Sequence, residues 1–156
     1  VPNRRSYRSK RRLTRADGSP LERSLYDYVP SEEFNGLEAN VADYLDSNSK
    51  LLWWYRNVSL SDYRIQGWKP GRVYPDFLAA STSEAAKGTL YILETKGEHL
   101  SGSDDTEYKR ALLAMCSRLP VSKAWADLEI QEVEQEFEFK VIDEMTWRAQ
   151  LNELLG

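Results

Sequence analysis

Two acids and a lysine close short apolar runs in this chain. Asp76 stands in Tyr74-Pro75-Asp76-Phe77-Leu78, and Glu94 and Lys96 end the run Leu90-Tyr91-Ile92-Leu93-Glu94-Thr95-Lys96 before Gly97. Residues two apart on a strand share a face, about 6.6 Å from one another. Leu90, Ile92, Glu94 and Lys96 therefore face one way, and Tyr91, Leu93 and Thr95 the other. Tyr74, Asp76 and Leu78 share a face in the same manner. A hairpin turning through residues 79–88 sets Asp76 opposite the Glu94/Lys96 end, where two carboxylates can share one cation. Hard oxygen ligands suit Mg²⁺, which keeps several waters and needs only one or two carboxylates. A metal so held polarises a phosphoryl oxygen and acidifies its bound water, and a lysine beside it orients that water and offsets developing charge. The set is sufficient for phosphodiester hydrolysis, and the lack of soft ligands argues against zinc. The bland alternative is a Pro-Asp turn beside a surface Glu-Lys ion pair, which a run as apolar as Leu90–Leu93 disfavours.

The elements that must position these groups are legible around them. Leu37, Val41, Tyr44 and Leu45 form one apolar stripe at helical spacing, predicting a helix over 36–48. Asn35 followed by Glu38 resembles a capping box at its start. Residues 51–58, rich in aromatics, predict a strand; Trp53, Trp54 and Tyr55 cannot all face one side and are read as core. Residues 73–80 and 89–97 predict two more strands, Pro75 marking an edge, a bulge or a strand start in the first. A brief extended piece is expected near Ile65 and a short strand over 24–29. Tyr108, Leu112, Met115 and Leu119 predict a helix over 105–118. Residues 136–143 alternate at period two, and a last helix is expected over 144–155, carrying Met145, Trp147, Leu151, Leu154 and Leu155. The expected order is α–β–β–β–α–β–α, one α/β unit.

Pro75-Asp76 followed by Glu94-Thr95-Lys96 resembles the signature of the PD-(D/E)xK nuclease superfamily. The wider context is similar to the C-terminal endonuclease domain of type III restriction enzyme Res subunits, over about residues 30–120. The resemblance implies a restriction-endonuclease-like core, a central mixed sheet flanked by helices, with Asp76 and Glu94 binding Mg²⁺ (Mn²⁺ as substitute) and Lys96 positioning water. It implies an acid on the first helix, where Glu38 stands, although Glu38 also has a purely structural use as a cap. It implies a polar side chain from the helix after Lys96, for which Lys109 is the candidate phosphate contact. It implies double-stranded DNA as substrate, a separate methylation/recognition subunit, and an upstream helicase motor. ATP would act only through that motor, since this chain has no GxxxxGK[ST] loop.

Composition bounds the rest. The chain has 156 residues, 41% hydrophobic and 29% charged, which suits one globular domain. No apolar run approaches the roughly 20 residues of a membrane helix, and the first residues do not form a secretory signal. The lone Cys116 excludes a disulfide framework within the chain and is expected to be a buried, inert thiol in a cytoplasmic, reducing compartment. Residues 1–17 carry seven arginines and lysines against Asp17, a charge of +6 that leaves −10 for the rest of a chain of net charge −4. Residues 1–20 are thus a basic linker or a phosphate-touching arm, and 21–156 the nuclease-like domain. A start at Val1 suggests a C-terminal fragment of a larger protein. His99 is read as a solvated loop residue, Arg56 and Asn57 as strand-end residues near a DNA backbone at most, and the acids Glu129–Glu138 as a solvated face. Two alternatives stand beside a DNA-cleavage module: an idle nuclease-fold module that docks nucleic acid or a motor, and a repair or recombination nuclease of the same superfamily.

Overall fold

A computed structural model describes residues 11–81, 88–97, 103–118 and 136–155. In chain order the elements are α1 (Gly36–Ser47), β1 (Leu51–Arg56), β2 (Ile65–Gln66), β3 (Arg72–Val73), β4 (Phe77–Ser81), β5 (Thr89–Lys96), α2 (Asp104–Arg118), β6 (Glu136–Asp143) and α3 (Trp147–Leu155). A single 3-10 turn over Ser31–Glu33 precedes α1. Strands β1, β4, β5 and β6 form one mixed sheet in that order. The first two pairings are antiparallel and β5–β6 is parallel. A parallel neighbour needs a crossover, and α2 lies in it. Along the main sheet the order is α–β–β–β–α–β–α, as expected, with the β2–β3 hairpin inserted after β1.

Two layers of helix cover the sheet. On one face α1 and α3 supply Leu37, Val41, Leu45, Leu151 and Leu155, which pack on Trp54, Phe77, Leu93 and Ile142. On the other side Tyr108 and Leu112 of α2 pack on Val73 of the hairpin, and Ser117 Oγ meets the Phe139 backbone of β6. The capping box forms in full: Asn35 Oδ1 accepts from Glu38 N at 2.9 Å, and Glu38 Oε2 from Asn35 N at 3.0 Å. Two of the four orphan amides at the start of α1 are thereby satisfied.

Four expectations need correction. The single strand over 73–80 is two, because Pro75 has no N–H to give a ladder and its carbonyl accepts from the Asn57 side chain at 2.7 Å. Residues 24–29 form no strand. Ser24 makes one bridge to Trp54, and the preceding amides of Glu22 and Arg23 are drawn to Asp46 instead. Met115 is 44% exposed and Met145 72%; Leu113, not Met115, turns inward on α2, and α3 begins two residues after Met145. Cys116 is half-buried against the α2–hairpin cluster, and burial pushes its thiol up, away from reactive thiolate.

Residues 11–34 wrap the sheet edge and α1. Leu13 N donates to Val29 O at 2.8 Å, and Trp54 N to Arg23 O at 2.8 Å. The fully buried Asp46 gathers this segment. Its carboxylate accepts from the Trp54 indole, the backbone amides of Glu22 and Arg23, and the Arg15 guanidinium. Arg15, one of the basic-arm cations, is therefore committed to Asp46 and Glu22. Arg4, Arg5, Arg8 and Lys10, His99, Leu119, Glu129, Glu132 and Glu134 lie outside the described residues. Among those described, no helix is long and apolar enough to cross a membrane.

Candidate active site

The site is built where β4 begins and β5 ends. Phe77 pairs with Leu93, so Asp76 falls opposite Glu94 one register step further on, held by Asp76 N to Leu93 O at 2.8 Å. Glu94 and Lys96 follow on one face of β5, as alternation requires. β6 ends beside them, Lys96 pairing with Asp143. From α1 comes Glu38, from α2 Lys109. Together with Asp76, Glu94, Thr95 and Lys96 they line a polar cleft of about 700 Å³.

Each expected residue is in that cleft, with its own bonding. Asp76 Oδ2 accepts from the Thr95 amide at 2.8 Å and the Thr95 hydroxyl at 2.7 Å; Oδ1 accepts from Arg56 Nη1 at 3.0 Å. Glu94 is 3% exposed. Its Oε1 binds two ammonium groups, Lys109 at 2.9 Å and Lys96 at 3.1 Å, while Oε2 is buried with no hydrogen-bond partner. Lys96 and Lys109 also approach Asp105, at 3.9 and 3.4 Å. Glu38 serves both as cap and as site residue: beyond Asn35 it accepts from Arg56 Nη2 at 2.7 Å.

Arg56, read from sequence only as a strand-end residue near a DNA backbone, and Thr95 have roles in the site that sequence reasoning missed. The guanidinium bridges Glu38 and Asp76, packed 5.3 Å from the Phe77 ring centre. Its place at the end of β1 matters only because β1 pairs with β4, with Arg56 beside Phe77. No local signal announces a β1–β4 pairing across twenty residues. Thr95 was assigned to the opposite face from Glu94, yet at the strand's mouth its amide and hydroxyl both reach Asp76.

Burial sets the electrostatics. Desolvation first, then the nearby Asp76 charge, pushes the Glu94 carboxyl above its ordinary range, against the pull of Lys109 and Lys96. Glu38 is raised by the same two causes, with Asn35 and Arg56 opposing. Burial works against the Lys109 ammonium, but Glu94 and Asp105 outweigh it and hold the charge on.

Among the described residues no group of three or more His, Cys, Asp or Glu side chains is set to hold a metal. Asp76 and Glu94 are the two carboxylates that would hold one, and of their four oxygens Glu94 Oε2 is the one buried without a hydrogen-bond partner. Glu38 and Asp76 are both paired with Arg56. A buried carboxylate oxygen without a partner is costly, and a proton, a water or a cation relieves it. What the fold and cleft define is an α/β domain with a mixed four-strand sheet and an acid–lysine site at its mouth. No family model matches the chain, and no curated protein or solved structure matches it either.

Proposed function

We propose that this domain is a Mg²⁺-dependent endonuclease of the PD-(D/E)xK type, hydrolysing DNA phosphodiesters as the cleavage module of a restriction-type helicase–nuclease. One observation carries the reading: Asp76, Glu94 and Lys96 meet in a single polar cleft, with Glu94 Oε2 buried and unpartnered. Asp76 and Glu94 would hold Mg²⁺, or Mn²⁺ in its place, which when bound neutralises phosphate charge and acidifies a water. Thr95 fixes the Asp76 carboxylate through two hydrogen bonds, so its orientation is set before any ligand arrives. Lys96, anchored on Glu94, orients the attacking water and offsets negative charge on the phosphate. Lys109 shares Glu94 Oε1 and adds a second positive group facing the substrate backbone. Duplex DNA, a recognition subunit and an upstream motor complete the proposal.

Arg56 favours a second reading. Its guanidinium already neutralises Asp76 and Glu38, as would suit a nuclease-fold module that docks nucleic acid or a motor without cutting. Plasmid cleavage in Mg²⁺, Mn²⁺ or EDTA separates the two. Metal-dependent cutting that disappears in Lys96→Ala and in Asp76→Ala is expected. If the wild type neither cuts nor binds Mn²⁺ in calorimetric titration, the nuclease reading fails and the docking module replaces it.

A further inference from the structure

Among the described residues the cleft is lined by four acids, Glu38, Asp76, Glu94 and Glu144, and by two cations, Lys96 and Lys109. Both cations sit on one oxygen of one acid, Glu94 Oε1, at 3.1 and 2.9 Å. The other oxygen, Oε2, is buried without a hydrogen-bond partner. Glu94 therefore has no oxygen that is both exposed and unpaired, and neither cation of the lining is unpaired. Two ammonium groups repel a divalent cation from the carboxylate they cover, and an acidic lining repels a phosphate. Each ligand needs what the other frees. A phosphate draws an ammonium group off Glu94, and a metal ion on Glu94 releases one.

Lys109 is placed for that exchange and Lys96 is not. Lys96 stands two residues from Glu94 on β5 and is 11% exposed; Lys109 reaches in from α2 and is 20% exposed. One turn earlier on α2 lies a second carboxylate, Asp105, which is 66% exposed and 3.4 Å from Lys109 Nζ. Lys96 is farther from it, at 3.9 Å. The Lys109 ammonium thus lies between a buried acid and an exposed one, at the end of a flexible four-carbon stem.

We propose that Lys109 is a substrate-operated latch on Glu94: it covers the carboxylate in the free protein and moves to a phosphate when duplex DNA binds, so that DNA and the divalent cation bind cooperatively through this one side chain. Lys96 stays on Glu94 throughout. The inference rests on the reading that the cleft takes a divalent cation and duplex DNA, and it adds that neither is held well without the other. Linkage makes the coupling reciprocal: DNA tightens the metal by the factor by which the metal tightens DNA.

The test is calorimetric titration of Mn²⁺ into the chain alone and into the chain saturated with a short phosphorothioate duplex, which resists hydrolysis. Fluorescence anisotropy of the same duplex in EDTA and in Mn²⁺ supplies the reciprocal measurement. The duplex should tighten Mn²⁺ about tenfold or more, and Mn²⁺ should tighten the duplex equally. Lys109→Met and Lys109→Gln, which remove the charge, should bind Mn²⁺ more tightly than the wild type without DNA. In both, the coupling should fall to about twofold, whereas Lys109→Arg should keep most of it. Circular dichroism confirms that each variant is folded. Mn²⁺ affinity that the duplex leaves unchanged in the wild type, equal coupling in the wild type and the uncharged variants, or no binding of Mn²⁺ or duplex at all would each overturn the proposal. Plasmid cutting alongside a coupling that ignores Lys109 sinks the latch alone. Lys109-dependent coupling in a chain that never cuts sinks the nuclease alone.

Discussion

Arg56 joins two acids of the site that come from different elements, α1 and the start of β4. It satisfies Glu38 and Asp76 together, and all three side chains are largely buried. Replacing it by alanine leaves two buried carboxylates without their cation, a change that costs about 3 kcal/mol or more. A divalent ion can take over that neutralisation, so Mn²⁺ should raise the melting temperature of Arg56→Ala by more than that of the wild type. Equal shifts in the two proteins would show that Asp76 does not see the metal. Glu94 carries a pH dependence of definite sign. Its folded carboxyl titrates above the ordinary range, so the folded chain holds a proton that the unfolded chain has lost. Stability from this group therefore falls as pH rises from the ordinary carboxylate range through the raised value. Mn²⁺ affinity should rise over the same window as Glu94 ionises. Glu94→Gln should flatten the stability curve there, as melts across the pH range will read out.

At the scale of elements, the hairpin and α2 depend on one close approach. Alanine at Gly67 would place a methyl 2.1 Å from Tyr108 Oη and 2.9 Å from Leu112 Cδ2, so the tip must lift or α2 must shift. Overpacking of this kind costs about 1–3 kcal/mol. Gly67→Ala should lower the melting temperature accordingly and speed amide exchange in β2 and β3. An unaltered exchange pattern would mean that the hairpin is not seated on Tyr108. Most elements were legible because their signals are local. The α1 stripe with its Asn35–Glu38 cap, the period-two run over 136–143 and the apolar run of β5 each report their own structure. The break at 74–76 was half legible, since Pro75 announced an interruption without saying which strand each side would join.

Over the whole molecule, Asp46 ties the segment before α1 to the sheet. It is fully buried yet holds Arg15, the amides of Glu22 and Arg23, and the Trp54 indole. Burial alone would raise its carboxyl, but these donors overcome that and hold it below the ordinary range. The stabilisation is present above the unfolded value and disappears as pH falls through the folded one, opposite in sign to Glu94. Asp46→Ala orphans several donors at once and should cost about 3–5 kcal/mol. The measurable consequences are a lower melting temperature and new protease sensitivity between residues 11 and 34. A protease pattern like that of the wild type would separate the segment from Asp46.

From the sequence alone came the α–β–β–β–α–β–α order of the main sheet, the two faces of β5 and the meeting of Asp76 with Glu94 and Lys96. Those depend on periodicity and on the pairing of two strands consecutive in the main sheet, which the local pattern of the chain encodes. The β1–β4 pairing that brings Arg56 to Asp76, the buried hub at Asp46 and the seating of the hairpin on Tyr108 join residues 20, 31 and 39 positions apart. Contacts at that separation leave no periodic trace, and only the packed tertiary structure decides them.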